Sequence, residues 1–140
     1  MALLFSTALL AADKKIVLVA GKDSHRNGEH EFLAGCHLLA NILNKSGQSV
    51  KVTVVEERNW PKSNQVFDEA DAIIIYSDGH KTHPLNTNKL FPYFKELAAK
   101  GTGIGFMHYA CEVEKKNGHY MNDVAGGFYE RMYSLNPHWT

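Results

Sequence analysis

Histidines follow three stretches of this chain that have the pattern of buried strands, residues 15–21, 71–77 and 102–107. The histidines are His25, His30, His80, His83 and His108. Histidine transfers protons near neutral pH and is the commonest metal ligand in proteins. Because the ligand sites of open α/β sheets lie outside the carboxyl ends of the strands, these side chains are predicted to converge on one site.

The densest polar segment, residues 21–31, contains His25, Glu29 and His30. These side chains could bind a divalent metal such as zinc or form an acid–base pair. A solvated loop with charges at a helix terminus is the alternative interpretation. The H-E-x-x-H spacing of zinc proteases is absent. Both common phosphate-loop motifs are also absent from the chain, so no nucleotide cofactor is predicted.

A second polar loop, residues 78–84, contains Asp78, His80 and His83. Asp78 could orient a histidine or form hydrogen bonds with a hydroxyl-rich ligand. Gly79 permits a sharp exit from the preceding strand. The alternative is an ordinary polar turn without a ligand.

The strongest single group lies in residues 103–112, where an apolar strand ends at His108. Glu112 follows one predicted helical turn later, so the two side chains are expected to share a face. Cys111 raises the alternative of a cysteine hydrolase. Because His108 occupies the tip of the turn, where hydrolases expose their nucleophile, an inert packed thiol is the preferred interpretation.

Apolar runs alternate with segments of helical spacing along most of the chain. This alternation indicates βαβ units with right-handed crossovers and a parallel sheet. The predicted strands are 15–21, 50–57, 72–76 and 103–107, and the predicted helices are 29–46, 63–70 and 86–100. Residues 109–116 could form a short helix. Residues 118–140 show no further strand-and-helix pattern, so either the chain is truncated or this segment is irregular and packs over the site.

The composition is that of one ordinary globular domain. The 140 residues are 44% hydrophobic, and 15 basic side chains balance 15 acidic ones. This balance provides no global field for nucleic acid or an anionic membrane, so neither is a predicted partner. The chain has two cysteines, too few for a disulfide framework, and Cys36 lies on the apolar stripe of a predicted helix.

Residues 1–12 are apolar and uncharged, and they end abruptly at charged residues 13–15. This pattern is typical of a secretory signal peptide without its basic leader, so export to the periplasm or the exterior is predicted. An N-terminal apolar strand and the end of a longer leader are the alternatives. The segment is shorter than the ~20 apolar residues that a helix needs to span a bilayer, so no membrane span is predicted.

Four sets of residues occur together in this chain. They are Gly28-Glu29-His30-Glu31-Phe32, Tyr76-Ser77-Asp78-Gly79 with His83-Pro84, Met107-His108-Tyr109-Ala110 with Glu112-Val113, and Gly126-Gly127-Phe128-Tyr129-Glu130 through Asn136-Pro137-His138-Trp139. The combination resembles the trehalose-utilisation (ThuA-like) family. The resemblance implies that residues 13–140 form a flavodoxin-like three-layer sandwich with a mostly parallel sheet. The family normally continues past the position of Thr140, which implies an incomplete domain.

The ThuA-like family is related to the class I glutamine amidotransferases, in which a cysteine follows the strand at the elbow. Here His108 occupies that place, which argues against amidotransfer. Members of the family are associated with the use of trehalose and other disaccharides through 3-keto sugar intermediates. The resemblance therefore implies a carbohydrate-active isomerase, lyase or hydrolase that acts on a disaccharide or keto-sugar. It favours His83 over His80 as a site residue and adds His138.

Three roles are predicted for the polar side chains of these loops. Proton transfer is assigned to His108, Glu112 and Glu29, and metal binding to His25, His30 and His108. Sugar binding is assigned to Asp78, His80, His83, Tyr109, His138 and Trp139. Two alternatives from other classes are a non-catalytic module that binds a sugar or a partner, and a cysteine hydrolase that uses Cys111.

Overall fold

A four-stranded, all-parallel sheet forms the centre of the computed structural model, which describes residues 13–130. The strands are β1 (Lys14–Ala20), β2 (Val50–Val55), β3 (Ala72–Tyr76) and β4 (Gly103–Met107), in the order β2-β1-β3-β4. Each was predicted at this place in the chain, and the predicted α/β class with a parallel sheet is confirmed. Strands β1 and β3 are central, and their apolar residues are buried on both faces of the sheet.

Helices cover both faces of the sheet, as in a flavodoxin-like sandwich. The four helices are α1 (Phe32–Asn44), α2 (Pro84–Thr87), α3 (Phe91–Ala99) and α4 (Gly118–Ala125). Helix α1 packs Phe32, Cys36 and Ala40 against one face. Helices α3 and α4 cover the opposite face, where Phe94 and Met121 are fully buried. The sheet therefore lies between two helical layers and holds its strand ends rigidly.

Helix α1 begins three residues later than predicted. The carboxylates of Glu29 and Glu31 accept hydrogen bonds from the backbone N–H groups of Arg26 and Gly28. These bonds stabilise a compact turn before the helix, so neither acidic residue lies in its first turn. The acidic pattern was correct as a marker of the helix N-terminus but wrong by one turn.

The predicted helix 86–100 is wrong in its extent, because α2 and α3 replace it. Pro92 lies in the first turn of α3, where its missing N–H costs no hydrogen bond. The chain reverses at Lys89, which has a left-handed backbone with φ of 56°. The predicted helix 63–70 is a single 3-10 turn, Asn64–Phe67.

Helix α4 lies in residues 118–140, a segment in which no further strand-and-helix pattern was recognised. It starts at Gly118, where an added Cβ would overlap the ring of Phe128, and it is followed by Gly126 with φ of 76°. No helix within residues 13–130 is long and apolar enough to cross a membrane. The predicted leader 1–12, and with it the predicted export, lies outside the described residues, as do His138 and Trp139.

Candidate functional site

Three strand-end loops meet at one edge of the sheet because the strands that precede them are neighbours. The register pairs Ala20 with Tyr76, and Tyr76 with Met107. Strands β1, β3 and β4 therefore end side by side. The loops that follow them carry His25 and His30, Asp78, and His108 in turn.

Asp78 lies between two histidines. Its Oδ1 atom is 3.3 Å from Nδ1 of His30 and 3.3 Å from Nε2 of His108. The two imidazole rings are 4.8 Å apart and nearly perpendicular. The three side chains are 19–30% exposed, so they are shielded enough to interact strongly yet remain accessible to a ligand.

His25 joins the same group through His30 and Ser24. The rings of His25 and His30 are 4.0 Å apart. The hydroxyl of Ser24 is within hydrogen-bonding distance of both Nδ1 atoms, at 3.0 Å from His25 and 2.8 Å from His30. One ligand atom each of His25, His30 and Asp78 all lie within 4.8 Å of one another, so the three could hold a metal ion. We refer to His25, His30, Asp78 and His108 as the histidine–aspartate cluster.

The carboxyl group of Asp78 is an anion at neutral pH. Desolvation by burial raises its pKa, but hydrogen bonds from Ser24 and His30 and the charges of His30 and His108 outweigh that effect and lower the pKa overall. An ionised carboxylate between two imidazoles accepts hydrogen bonds from their ring N–H groups and so orients the rings. It is equally a suitable ligand for a divalent cation.

Backbone strain is concentrated in these loops. Five non-glycine residues within 13–130 have a left-handed backbone, and three of them are His25, His80 and His108, with φ of 66°, 53° and 60°. Such conformations cost on the order of 1–3 kcal/mol each and persist where the surrounding structure enforces them. They lie in the loops after β1, β3 and β4, the three strands whose ends meet at the candidate site.

A cavity of about 490 Å³ adjoins the cluster and shares Asp78 with it. This is within the range of small-molecule sites. Its other lining residues come from the loop after β3 and the turn after β4, with one further tyrosine. They are Gly79, His80, Lys81, Thr82, Tyr109, Glu112 and Tyr129. The rings of Tyr109 and Tyr129 meet at 70° with centroids 6.1 Å apart and form an aromatic corner.

Backbone contacts fix the two main walls of the cavity against each other. The N–H of His80 donates to the carbonyl of Glu112 at 2.6 Å. An added Cβ at Gly79 would overlap the carbonyl oxygens of Tyr109 and Glu112, so only glycine fits this close approach. The N–H of Tyr129 donates to the carbonyl of Cys111 at 2.9 Å, which attaches the third wall.

Two residues with predicted roles lie elsewhere. The ring of His83 is fully buried, both its nitrogens are hydrogen-bonded to backbone groups, and it does not line the cavity. Glu29 is exposed, and its carboxylate contacts Arg26 at 3.4 Å and does not line the cavity.

Glu112 lies in the cavity, but the predicted reason is wrong. The turn His108–Cys111 is a 3-10 turn, and Glu112 has an extended backbone after it. It therefore does not share a helical face with His108, and it reaches the cavity because the chain straightens. Tyr129 is a site residue that the sequence reasoning missed. Tyr129 is among the residues that carry the ThuA-like resemblance and lies in an aromatic-rich segment, but neither signal assigned it a role.

The environment of Cys111 does not favour a nucleophile. Its thiol donates to the carbonyl of His108 at 3.6 Å, and no hydrogen bond joins it to an imidazole within residues 13–130. Cys36, the other cysteine, is buried, and burial raises its pKa to about 11.

We expect Cys111→Ala to leave ligand binding and turnover near the wild-type level, because its thiol donates to a backbone carbonyl and to no imidazole among residues 13–130. The measurement compares wild-type protein with Cys111→Ala for conversion of a 3-keto disaccharide, followed by NMR. Complete loss of activity with an intact fold would instead support the cysteine hydrolase.

Comparison of the chain with family models, curated proteins and solved structures gave no match. The protein is a parallel α/β sandwich whose strands carry the histidine–aspartate cluster at their carboxyl ends. A polar cavity with two tyrosine rings at one corner lies beside the cluster.

Proposed function

We propose that this protein is a carbohydrate-active enzyme of the ThuA-like type, which moves a proton next to the carbonyl of an oxidised disaccharide or keto-sugar. The observation that carries the proposal is the shared position of Asp78. Its carboxylate contacts two histidines of the cluster and also lines the cavity. Two carboxylates able to transfer protons, Asp78 and Glu112, therefore line the space in which a ligand would lie, and the histidines adjoin it through Asp78.

The cavity has the chemistry that a sugar ring requires. Tyr109 and Tyr129 offer flat apolar faces, and Glu112 and Thr82 offer hydrogen-bond partners for hydroxyl groups. The lining carries both signs of charge, with Lys81 beside the carboxylates of Asp78 and Glu112 among its residues, which suits a neutral, hydroxyl-rich ligand better than a strongly charged one.

The residues divide the reaction between them. Glu112 accepts the proton from the carbon beside the carbonyl and returns it to the neighbouring carbon or the leaving oxygen. His108 contacts Asp78 through Nε2, and its other ring nitrogen polarises the carbonyl oxygen. Asp78 holds the imidazole in place and stabilises its positive charge.

His25, His30 and Asp78 would hold a divalent metal such as zinc, with His108 beside them. Two imidazoles and a carboxylate are a donor set that zinc accepts. When bound, the metal supplies Lewis-acid polarisation of the carbonyl oxygen.

Tag-free wild-type protein is expected to contain close to one equivalent of a transition metal by elemental analysis. His25→Ala and His30→Ala should each deplete it, because either change removes one of three ligands. His37→Ala is the matched control, since His37 lies on the exposed side of α1 and contacts Glu56. Metal-free wild-type protein that remains active on a keto-sugar would exclude the metal and leave the acid–base groups.

The proposed function is tested by incubation of the full chain with a 3-keto disaccharide, with consumption followed by NMR. Wild-type protein should convert the sugar, His108→Ala should not, and His37→Ala should behave as wild type. Saturable binding without conversion by wild-type protein would refute the enzyme and favour a non-catalytic sugar-binding module.

A further inference from the structure

His83 is a buried histidine whose protonation state is fixed by its neighbours. It precedes α2, and its Nδ1 atom accepts a hydrogen bond from the backbone N–H of Leu85 at 3.0 Å. Because Nδ1 is the acceptor, the ring proton of the neutral imidazole must be on Nε2. Nε2 is 2.8 Å from the carbonyl oxygen of Ala110 and donates to it.

The ring is packed as tightly as an apolar side chain would be. It has no solvent exposure and stacks on Phe91, with the ring centroids 5.8 Å apart. The centroid of the Phe106 ring is 6.2 Å away. An apolar residue would fill this space without the cost of desolvating two ring nitrogens. What a histidine adds at this position is therefore its two hydrogen bonds.

These two bonds join the walls of the cavity. One bond caps α2, directly after the wall formed by residues 79–82. The other reaches Ala110, in the opposite wall, two residues after His108. His108 has a strained backbone with φ of 60°, so the turn that carries it needs an external constraint to keep its shape.

We infer that His83 is a positioning residue whose Nε2–H···O=C bond to Ala110 holds the His108–Cys111 turn against the Gly79–Thr82 wall. The bond thereby keeps His108 on Asp78 and Tyr109 in the cavity. Its consequence for turnover rests on the proposed function, whereas its consequence for the position of His108 does not.

Two substitutions separate the two bonds. His83→Asn places an amide oxygen near the position of Nδ1, where it can still cap α2, but it is too short to reach Ala110. His83→Gln places an amide N–H near the position of Nε2, where it can still donate to Ala110. It loses the bond from the N–H of Leu85 that caps α2. Phe94→Leu, a change in the same apolar core but away from the cavity, controls for general loss of stability.

The first measurement is NMR of the histidine rings in the full chain at a fixed pH, without sugar. The wild-type ring of His83 should show the Nε2–H tautomer. The ring signals of His108 should shift in His83→Asn and stay at their wild-type positions in His83→Gln and Phe94→Leu. Unchanged His108 signals in folded His83→Asn, or the other tautomer at His83, would overturn the inference.

The second measurement is kinetic, with the 3-keto disaccharide as the probe. We expect kcat/KM to fall ~10- to 100-fold in His83→Asn, because small displacements of reacting groups are costly, and to recover in His83→Gln. An equal loss in both variants and in Phe94→Leu would show a purely structural role. If wild-type protein does not convert the sugar, the proposed function fails, and the NMR result still decides the inference.

Discussion

Asp78→Asn is expected to lower turnover of a keto-sugar by at least ~100-fold while the protein remains folded. The amide is the same size as the carboxylate, so packing is preserved. The negative charge between His30 and His108 is lost, however, and with it the stabilisation of a protonated imidazole and a ligand for a divalent ion. Turnover, metal content and the circular dichroism spectrum are the measurements.

Asp123→Asn is the matched control for this change. Asp123 pairs with Lys95 on the surface at 2.6 Å, away from the strand-end loops, so the loss of its carboxylate should leave turnover unchanged. Wild-type rates in Asp78→Asn would show that the carboxylate has no part in the reaction.

Acid is expected to destabilise this protein through protonation of His83, at a higher pH than the protonation of Asp78. Burial lowers the pKa of His83 from its ordinary 6.5 to about 4, and the hydrogen bond to Ala110 offsets this only in part. Between these two values the unfolded chain binds a proton that the folded protein does not. The free energy of unfolding should therefore fall as the pH decreases from 6.5 to 4, by about 3 kcal/mol in total.

Both residues lose stabilising free energy as the pH falls, and the pH window distinguishes His83 from Asp78. The stabilisation from the neutral His83 ring is complete above pH 6.5 and is lost as the pH falls towards 4. The stabilisation from Asp78, whose pKa is lowered, is complete above its ordinary value of 3.8 and is lost only in stronger acid. The two effects therefore occupy separate pH windows.

Urea unfolding at several pH values between 7 and 4.5 measures this effect. His83→Gln should be less stable than wild type at pH 7 but should show a flatter dependence on pH, because it has no group to protonate there. His119→Gln, which changes an exposed histidine, should keep the wild-type slope. An unchanged slope in His83→Gln would contradict the assignment.

The sheet could be predicted because its signals are local. Continuous apolar runs such as residues 16–20 and 72–76 indicate strands covered on both faces, and their spacing along the chain indicates crossovers. Helix ends were less accurate. The bonds from Gly28 to Glu31 and from Arg26 to Glu29 depend on a turn that periodicity does not report.

The site could be predicted in outline, since residues at the ends of neighbouring parallel strands must converge. This argument located His25, His30, Asp78 and His108 at one edge. It could not identify His83 as a buried structural ring, because burial depends on how α3 packs beneath the loop. It also missed Tyr129, which reaches the cavity through one backbone bond to Cys111 that no local pattern reveals.

Solvent deuterium exchange tests the central claim most directly. A 3-keto disaccharide is incubated in D₂O with zinc-loaded wild-type protein, and the signals of the C–H groups beside the carbonyl are followed by NMR. We predict exchange well above the rate in buffer, lost in Asp78→Asn and His108→Ala and retained in His37→Ala. Exchange at the buffer rate, by wild-type protein that demonstrably binds the sugar, would contradict proton transfer by Glu112 in the cavity beside the histidine–aspartate cluster.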